Sequence, residues 1–358
     1  MSTRIYLDHA ATTPVLGEAR AAVAAAYERW ANPSSPHAEG RQARALLEES
    51  RERIKAALGW RHDVIFTSGA SEAVAIVAQR AKVAGRLVGT TEHAIVPHEM
   101  GSAAGRIAVG GDGLIDFAAL DEALAGGPAL VAIQHVNNET GVIQPLAEIA
   151  ERVRAGGSLL LADCAQSAGK IALPDADFIA VSAHKLGGPP GIGALLVRDL
   201  ATLEPSGGQE KGYRRGTQDA PAAAGFAAAL DGRAFAEAMP RLGELRRRLD
   251  EGVRETGGVV IAEDSPRIAN IGAVALPGAN QASLLVQFDL AGFAVSAGSA
   301  CSSGKMMRSE VLAAMDAEPA VASSFLRVSF GPETGESDID AFLSEWRRIG
   351  SRVRSEAA

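Results

Sequence analysis

The sequence predicts an α/β protein on a mostly parallel sheet, with a second, smaller α+β lobe, and three observations predict it. From about residue 63, apolar runs of five to eight residues (DVIFTS, RLVGT, ALVAIQHV, SLLLADC, DFIAVSA, GALLVRD) alternate with alanine-rich stretches of helical period. Strands that apolar are covered on both faces, which is the habit of parallel sheets flanked by helices. The chain has 358 residues, more than one core usually holds. Around 217–257 its texture changes to long helical patterns, as a new lobe would require. We therefore expect a large domain at 15–235 and a small one made of 1–14 and 236–358.

Taken in order, RIYLDHAATTP is a short β-like opening that crosses to the small lobe or lines the cleft. EARAAVAAAYERW and the stretch from Arg41 to Leu58 read as helices. SEAVAIVAQRAKVAG and PLAEIAERVRAGG follow their strands as helices ending at Gly85 and Gly156, glycine being the usual C-cap. Beyond residue 217 come two long helical patterns, APAAAGFAAALDGRAFAEAM and MPRLGELRRRLDEGVRET. Strands are expected at VVIAED, ANIGAVAL and FLRVSFG, then an amphipathic helix at DIDAFLSEWRRIGSRV.

Composition narrows the function. With 35 Lys and Arg against 43 Asp and Glu, the net charge is −8, and no basic block stands out, which argues against nucleic acid as a partner. MSTRIYLDH lacks the apolar core of a signal peptide, and no run of 18 apolar residues occurs, so a cytoplasmic protein without a membrane segment is expected. The two cysteines, Cys164 and Cys301, are expected as free thiols. The seven histidines offer no helical pair with a further ligand, so no metal site is expected.

Ligands of a parallel sheet bind beyond the carboxyl ends of its strands, so the polar residues that end the apolar runs should converge. VIFTSGASEAVAIVA is a strand, a turn of small residues and a helix whose free amides suit a phosphate; a plain cap by Ser71 is the simpler meaning. LLLADCAQS ends in Asp163 and Gln166, a turn former or a carboxylate for a heterocyclic nitrogen. DFIAVSAHKLGGPPGIG stops at Ser182, His184 and Lys185 before a rigid Gly/Pro turn. An interior lysine there needs a partner, and an imine with an aldehyde is one solution. AIQHVNNETG brings Asn137, Asn138 and Glu139 to a strand end, as amide donors or as an Asn-rich turn. Together, the phosphate cradle, carboxylate, imine-forming lysine and amide donor match pyridoxal 5′-phosphate.

The motifs YLDHAATTP, NPSSPH, FTSGASEA, TEHAIV, HVNNETG, DCAQSAGK, SAHKLGGPPGIGAL, GGQEKGYRRGT, SAGSACSSGK and LRVSFG, in this order over residues 5–331, resemble those of NifS/IscS-type cysteine desulfurases. That family lies within the class V aminotransferases, which have the pyridoxal-phosphate fold type I. The resemblance implies Lys185 as covalent anchor of the cofactor, His93 stacked on its ring, and Asp163 on the ring nitrogen. It implies Asn138 and Gln166 on the ring hydroxyl, with Ala70, Ser71, Ser182 and His184 around the phosphate. Thr217 would reach the phosphate of a neighbouring subunit, making a homodimer. Arg327, with Asn138, would bind the carboxylate of L-cysteine, an anion an arginine fork suits.

Cys301 is the implied catalytic nucleophile and persulfide carrier, on a loop where Gly298, Ser299, Ser302, Ser303 and Gly304 give freedom of movement. Its thiolate forms from a thiol of ordinary pKa about 8.5. His93 is the implied proton shuttle. Cys164 reads instead as a small buried hydrophobe. A sulfur-acceptor or scaffold protein is the implied partner, with iron–sulfur cluster assembly the usual destination. After Cys301 this chain has KMMRS where the family often has Leu-Glu-Pro-Ser. Selenocysteine lyase and class V aminotransferase are the enzymatic rivals, and a non-catalytic sulfur-trafficking subunit is the third. A dinucleotide dehydrogenase is disfavoured, because no G-x-G-x-x-G follows an early strand.

Overall fold

The computed structural model describes residues 4–298 and 309–357. Strand β1 (Ile5–Tyr6) leads into helices α1 (Gly17–Tyr27) and α2 (Ala38–Leu58). Then follow β2 (Asp63–Thr67), α3 (Ala70–Arg80), β3 (Gly85–Gly89), α4 (Ile95–Met100), β4 (Gly105–Ile107), α5 (Phe117–Leu124), β5 (Ala129–Gln134), α6 (Leu146–Ala155), β6 (Leu159–Asp163), β7 (Phe178–Ser182) and β8 (Gly193–Val197). The remainder is α7 (Ala220–Asp231), α8 (Ala234–Arg254), β9 (Val259–Val260), β10 (Ile271–Ala275), α9 (Gln281–Leu290), β11 (Phe293–Ala294), α10 (Glu310–Ala314), α11 (Pro319–Ala322), β12 (Phe325–Ser329) and α12 (Glu336–Ala357). No described helix is long and apolar enough to cross a membrane.

Seven strands form one sheet in the order β2-β8-β7-β6-β5-β3-β4. Strand β8 is antiparallel to both neighbours, and the remaining pairs are parallel. The other six strands therefore point the same way, and their carboxyl ends share one edge. Both faces are covered. Phe178 and Ala180 of β7 pack with Ile65, Leu130 and Leu195 against Ala73, Val74 and Val77 of α3. Ile179 and Val181 pack on the other face with Phe66, Val131 and Leu196, under residues of α1, α2 and α7 such as Ala19, Leu47 and Phe226. That two-sided burial is why these strands read as unbroken apolar runs; each large side chain so buried contributes about 1.5–3 kcal/mol.

The smaller sheets come from the ends of the chain. Strands β12, β10 and β9 form an antiparallel sheet. Beside it, the Phe288 and Phe342 rings stack at 4.6 Å, close to the fully buried Trp346. Strand β1 pairs in parallel with β11, and Asp8 bridges Ser329 at the end of β12. Two residues further, the carbonyls of Ala10 and Ala11 accept hydrogen bonds from Lys185 at the end of β7. The opening segment thus both crosses to the small sheets and lines the cleft.

Two helix ends differ from expectation. Helix α3 stops at Arg80, well short of Gly85: Ala81 turns extended and bridges Leu203, and the Lys82 amide bonds Thr202. Gly85 instead opens β3, where a Cβ would lie 2.8 Å from that of Ala129. The pattern from Ala220 to Met239 is not one helix. It breaks at Gly232 and at Arg233, whose φ is +50°, while Pro240 lies inside α8. Strands β4 and β11 and helices α4, α5, α9, α10 and α11 have no counterpart among the sequence expectations.

Candidate active site

The shared edge carries a cleft of about 400 Å³ lined by Ser68 to Ser71, His93, Asn138, Asp163, Gln166, Ser182, His184 and Lys185, among others. At its β2 end, Gly69 takes the N-cap position of α3 and no side chain caps the helix. The first intrahelical bond runs from Ala73 N–H to Gly69 O, so the amides of Ala70, Ser71 and Glu72 precede the ladder. Ser71 therefore lies inside the helix and is not its cap, and the N-terminus is open to an anion. Ser182 Oγ faces this turn, 3.6 Å from where a Cβ of Gly69 would stand. Gly193 of β8 permits the close approach: its Cβ would meet Val181 O at 2.4 Å and Gly69 Cα at 2.7 Å. The neighbouring His184 holds Thr12 Oγ1 at 3.1 Å, and burial, with Lys185 and Lys170 nearby, pulls its pKa down to about 4. It is neutral at pH 7.

Asp163, the last residue of β6, accepts from the Ala165 amide at 2.9 Å. Burial raises the pKa of its carboxyl, against the Ala165 bond and the charges of His93 and Lys185. Burial likewise lowers the His93 imidazole, with Asp163 opposing and Lys185 assisting. His93 Nδ1 accepts from Ile95 N–H at 3.4 Å. Lys185 stands on the short 3-10 turn Ala183–Lys185, its Nζ donating to Ala10 O at 2.6 Å and Ala11 O at 2.8 Å. Gln166 Nε2 donates to the same Ala10 carbonyl, while its buried Oε1 has no partner among the described residues.

The two meanings of the Asn-rich turn are divided between two residues. Asn137 is the turn former, its Oδ1 accepting from the amides of Glu139 and Thr140 and from the Thr140 hydroxyl. Asn138 is the one that lines the cleft, and its backbone carbonyl accepts from Arg327 Nη1 at 2.9 Å. Arg327 lies in the middle of β12, with its Nη2 on Asp8 Oδ1 at 2.8 Å. The buried Glu139 neighbours Arg327 and accepts from Ser309 Oγ; burial raises its pKa.

Nine expected residues, Ala70, Ser71, His93, Asn138, Asp163, Gln166, Ser182, His184 and Lys185, therefore line one cleft, and Arg327 joins it through Asn138. Thr217 does not line it and is exposed. Cys301, with the loop residues around it, lies outside the described residues. Sequence reasoning missed Asp8 and Thr12 and the carbonyls of Ala10 and Ala11. All four belong to YLDHAATTP, whose mixture of acid, small and hydroxyl residues directly after an apolar pair was the available signal. Cys164 is fully buried, and burial pushes its thiol pKa up.

The aminotransferase class-V family model matches residues 5–342. An IscS-like cysteine desulfurase of Mycobacterium tuberculosis is 38% identical, with 98% of each chain covered. A cysteine desulfurase of Cereibacter sphaeroides is 32% identical, over 98% of this chain and 97% of that one. The structure of a NifS-like protein from Rickettsia africae superposes with a TM-score of 0.89 at 29% identity, covering 97% of this chain and 99% of that one.

Proposed function

The chain belongs to the aminotransferase class-V family and is a cysteine desulfurase, and from that premise we propose how its residues convert L-cysteine to L-alanine while passing the sulfur to Cys301. One observation carries the reading: Lys185 Nζ, Asp163, His93 and the uncapped start of α3 open onto a single cleft. This set fits pyridoxal 5′-phosphate. Amides of α3 with Ser182 and His184 suit its phosphate, Asp163 its ring nitrogen, Asn138 and the under-bonded Gln166 amide its hydroxyl, and the flat face of His93 its ring. Bound there, the cofactor supplies an electron sink for charge developing at the substrate's α-carbon.

The protein's own groups do the rest. Arg327 orients the substrate carboxylate with a fork that a lysine lacks. Lys185 Nζ would hold the cofactor and, with substrate in the cleft, would remove the α-proton. The neutral His93 moves protons between substrate and thiol. Cys301 Sγ, as thiolate, attacks the substrate sulfur; a disulfide-type S–S bond forms, the C–S bond breaks with its electron pair left on carbon, and that carbon is protonated on the way to alanine. The persulfide then passes to an acceptor protein, with iron–sulfur cluster assembly the expected use. Exposed Thr217 serves the cleft of a second copy, which makes the working unit a homodimer. In this scheme residues 15–235 hold the cofactor, and 1–14 with 236–358 bring the carboxylate clamp and the acceptor thiol.

The test is incubation of purified protein with L-cysteine and a reductant, measuring sulfide and alanine together. Wild type should release both in equal amounts, and Lys185→Ala and Cys301→Ala should release neither at a comparable rate. Equal sulfide from Cys301→Ala would remove it as nucleophile; turnover by Lys185→Ala would sink the scheme.

A further inference from the structure

Arg327 already has a carboxylate. Its side chain is 3% exposed, against 21% for Asp8, and the two meet at 2.8 Å. The contact is fixed by backbone as well as by charge: Asp8 bridges Ser329, and the Ser329 amide bonds Leu7 O at 2.8 Å. Besides Asp8, the charged group facing the guanidinium is Glu139, held from the Asn137–Thr140 turn, and Arg327 Nε–H has no partner among the described residues. We propose that Asp8 is an internal counter-ion for this arginine and that its charge sets how tightly the cleft holds a carboxylate substrate. The inference rests on the reading that Arg327 clamps that carboxylate.

The argument is one of linkage. A guanidinium this deeply buried is costly without a negative partner. Asp8 meets that need in the free protein, so an arriving carboxylate shares a cation that is already neutralised. Remove the charge of Asp8 and the free protein bears the cost, whereas the complex does not, because the substrate supplies the missing anion. Affinity must then rise. A residue that only held Arg327 in place would act in the opposite direction, since its loss would weaken binding.

Asp8→Asn keeps the shape and an acceptor oxygen for Nη2 while deleting the charge; Asp8→Ser is the second variant should the first not fold. Using holoenzyme, the dissociation constant of L-alanine is read from the cofactor's absorbance, and the thermal midpoint is read with and without L-alanine. The expected result is binding tighter on the order of tenfold, with a midpoint that falls without L-alanine and recovers when it saturates. Ethylamine, which lacks the carboxylate, should bind wild type and variant alike. Unchanged or weaker L-alanine binding overturns the counter-ion role. If wild type itself holds L-alanine no better than ethylamine, the assignment of Arg327 fails and this inference with it; if wild type discriminates and the variant moves nothing, only the inference fails.

Discussion

Glu210 offers a measurable test of how the segment ahead of α7 is attached to the large sheet. Its side chain is fully buried, and that of its partner Arg51 is 7% exposed. Oε2 accepts from Arg51 Nη1 at 2.8 Å and from the Phe66 amide at 2.7 Å. Oε1 accepts from Arg51 Nη2 at 3.1 Å and from Gln218 Nε2 at 2.9 Å. Glu210→Gln preserves volume but turns an NH₂ toward two of these donors, so one side of the cluster faces donor against donor. Arg51 then keeps as anion only the half-exposed Glu48, 3.0 Å from its Nε, and the change should cost about 3 kcal/mol. Urea unfolding followed by tryptophan fluorescence measures it. Lys211→Ala, which breaks an exposed pair with Asp63, is the control and should cost no more than about 1 kcal/mol. The pH dependence has a definite sign. Burial alone would raise the Glu210 pKa, but the bonds and charge of Arg51, with Gln218 and the Phe66 amide, lower it. Its contribution is therefore present above the ordinary glutamate value of about 4.3 and lost as pH falls through the lower folded value. The gap between wild type and Glu210→Gln should close in acid. A neutral-pH loss no larger than that of the Lys211 control would refute the reasoning.

Three further outcomes are expected. His93, its imidazole lowered below 6.5 by burial, should give kcat an acid limb under that pH that is absent from His93→Gln, whose rate drops by roughly 10²–10⁴; an acid limb that survives in His93→Gln contradicts the proton role. Cys164, fully buried and with its thiol pKa raised by burial, should resist a water-soluble thiol reagent until denaturant is added, and Cys164→Ala should release sulfide at the wild-type rate. In Gly331→Ala the new Cβ would lie 2.0 Å from Cε1 of His9, a ring set edge-on between Tyr6 and Phe235, so calorimetry should show a loss of about 1–3 kcal/mol or more.

Much of this was readable in advance because burial on both faces writes itself as uninterrupted apolar letters. Strands β2, β3, β5, β6, β7 and β8 all announced themselves so. Their direction did not, since an apolar run has no polarity, and the reversal of β8 is decided by the short connection from Lys185 to Gly193. Strands β4 and β11, of three and two residues, left no such pattern. The end of α3 was misread because tertiary pairing of Ala81 with Leu203 overrides a helical composition. In the site, Asp163 and Lys185 could be seen because one ends a strand and the other follows one by three residues. Asp8 stood in a stretch whose residue types were a signal, but its partner is 319 residues away and no local pattern pointed to Arg327.

The reversed strand has a consequence for what the chain can tolerate. Lys185 stands at the start of a tight return: Ser182 pairs with Gly193, and the Ala183 amide reaches Ile192 O at 3.1 Å. A helical crossover absorbs an added residue by lengthening its loop. Here one insertion between Leu186 and Ile192 would slip β8 by a step and exchange the faces of Ala194 and Leu196 with those of Leu195 and Val197. The length of this stretch is thus as constrained as the identity of the lysine that precedes it.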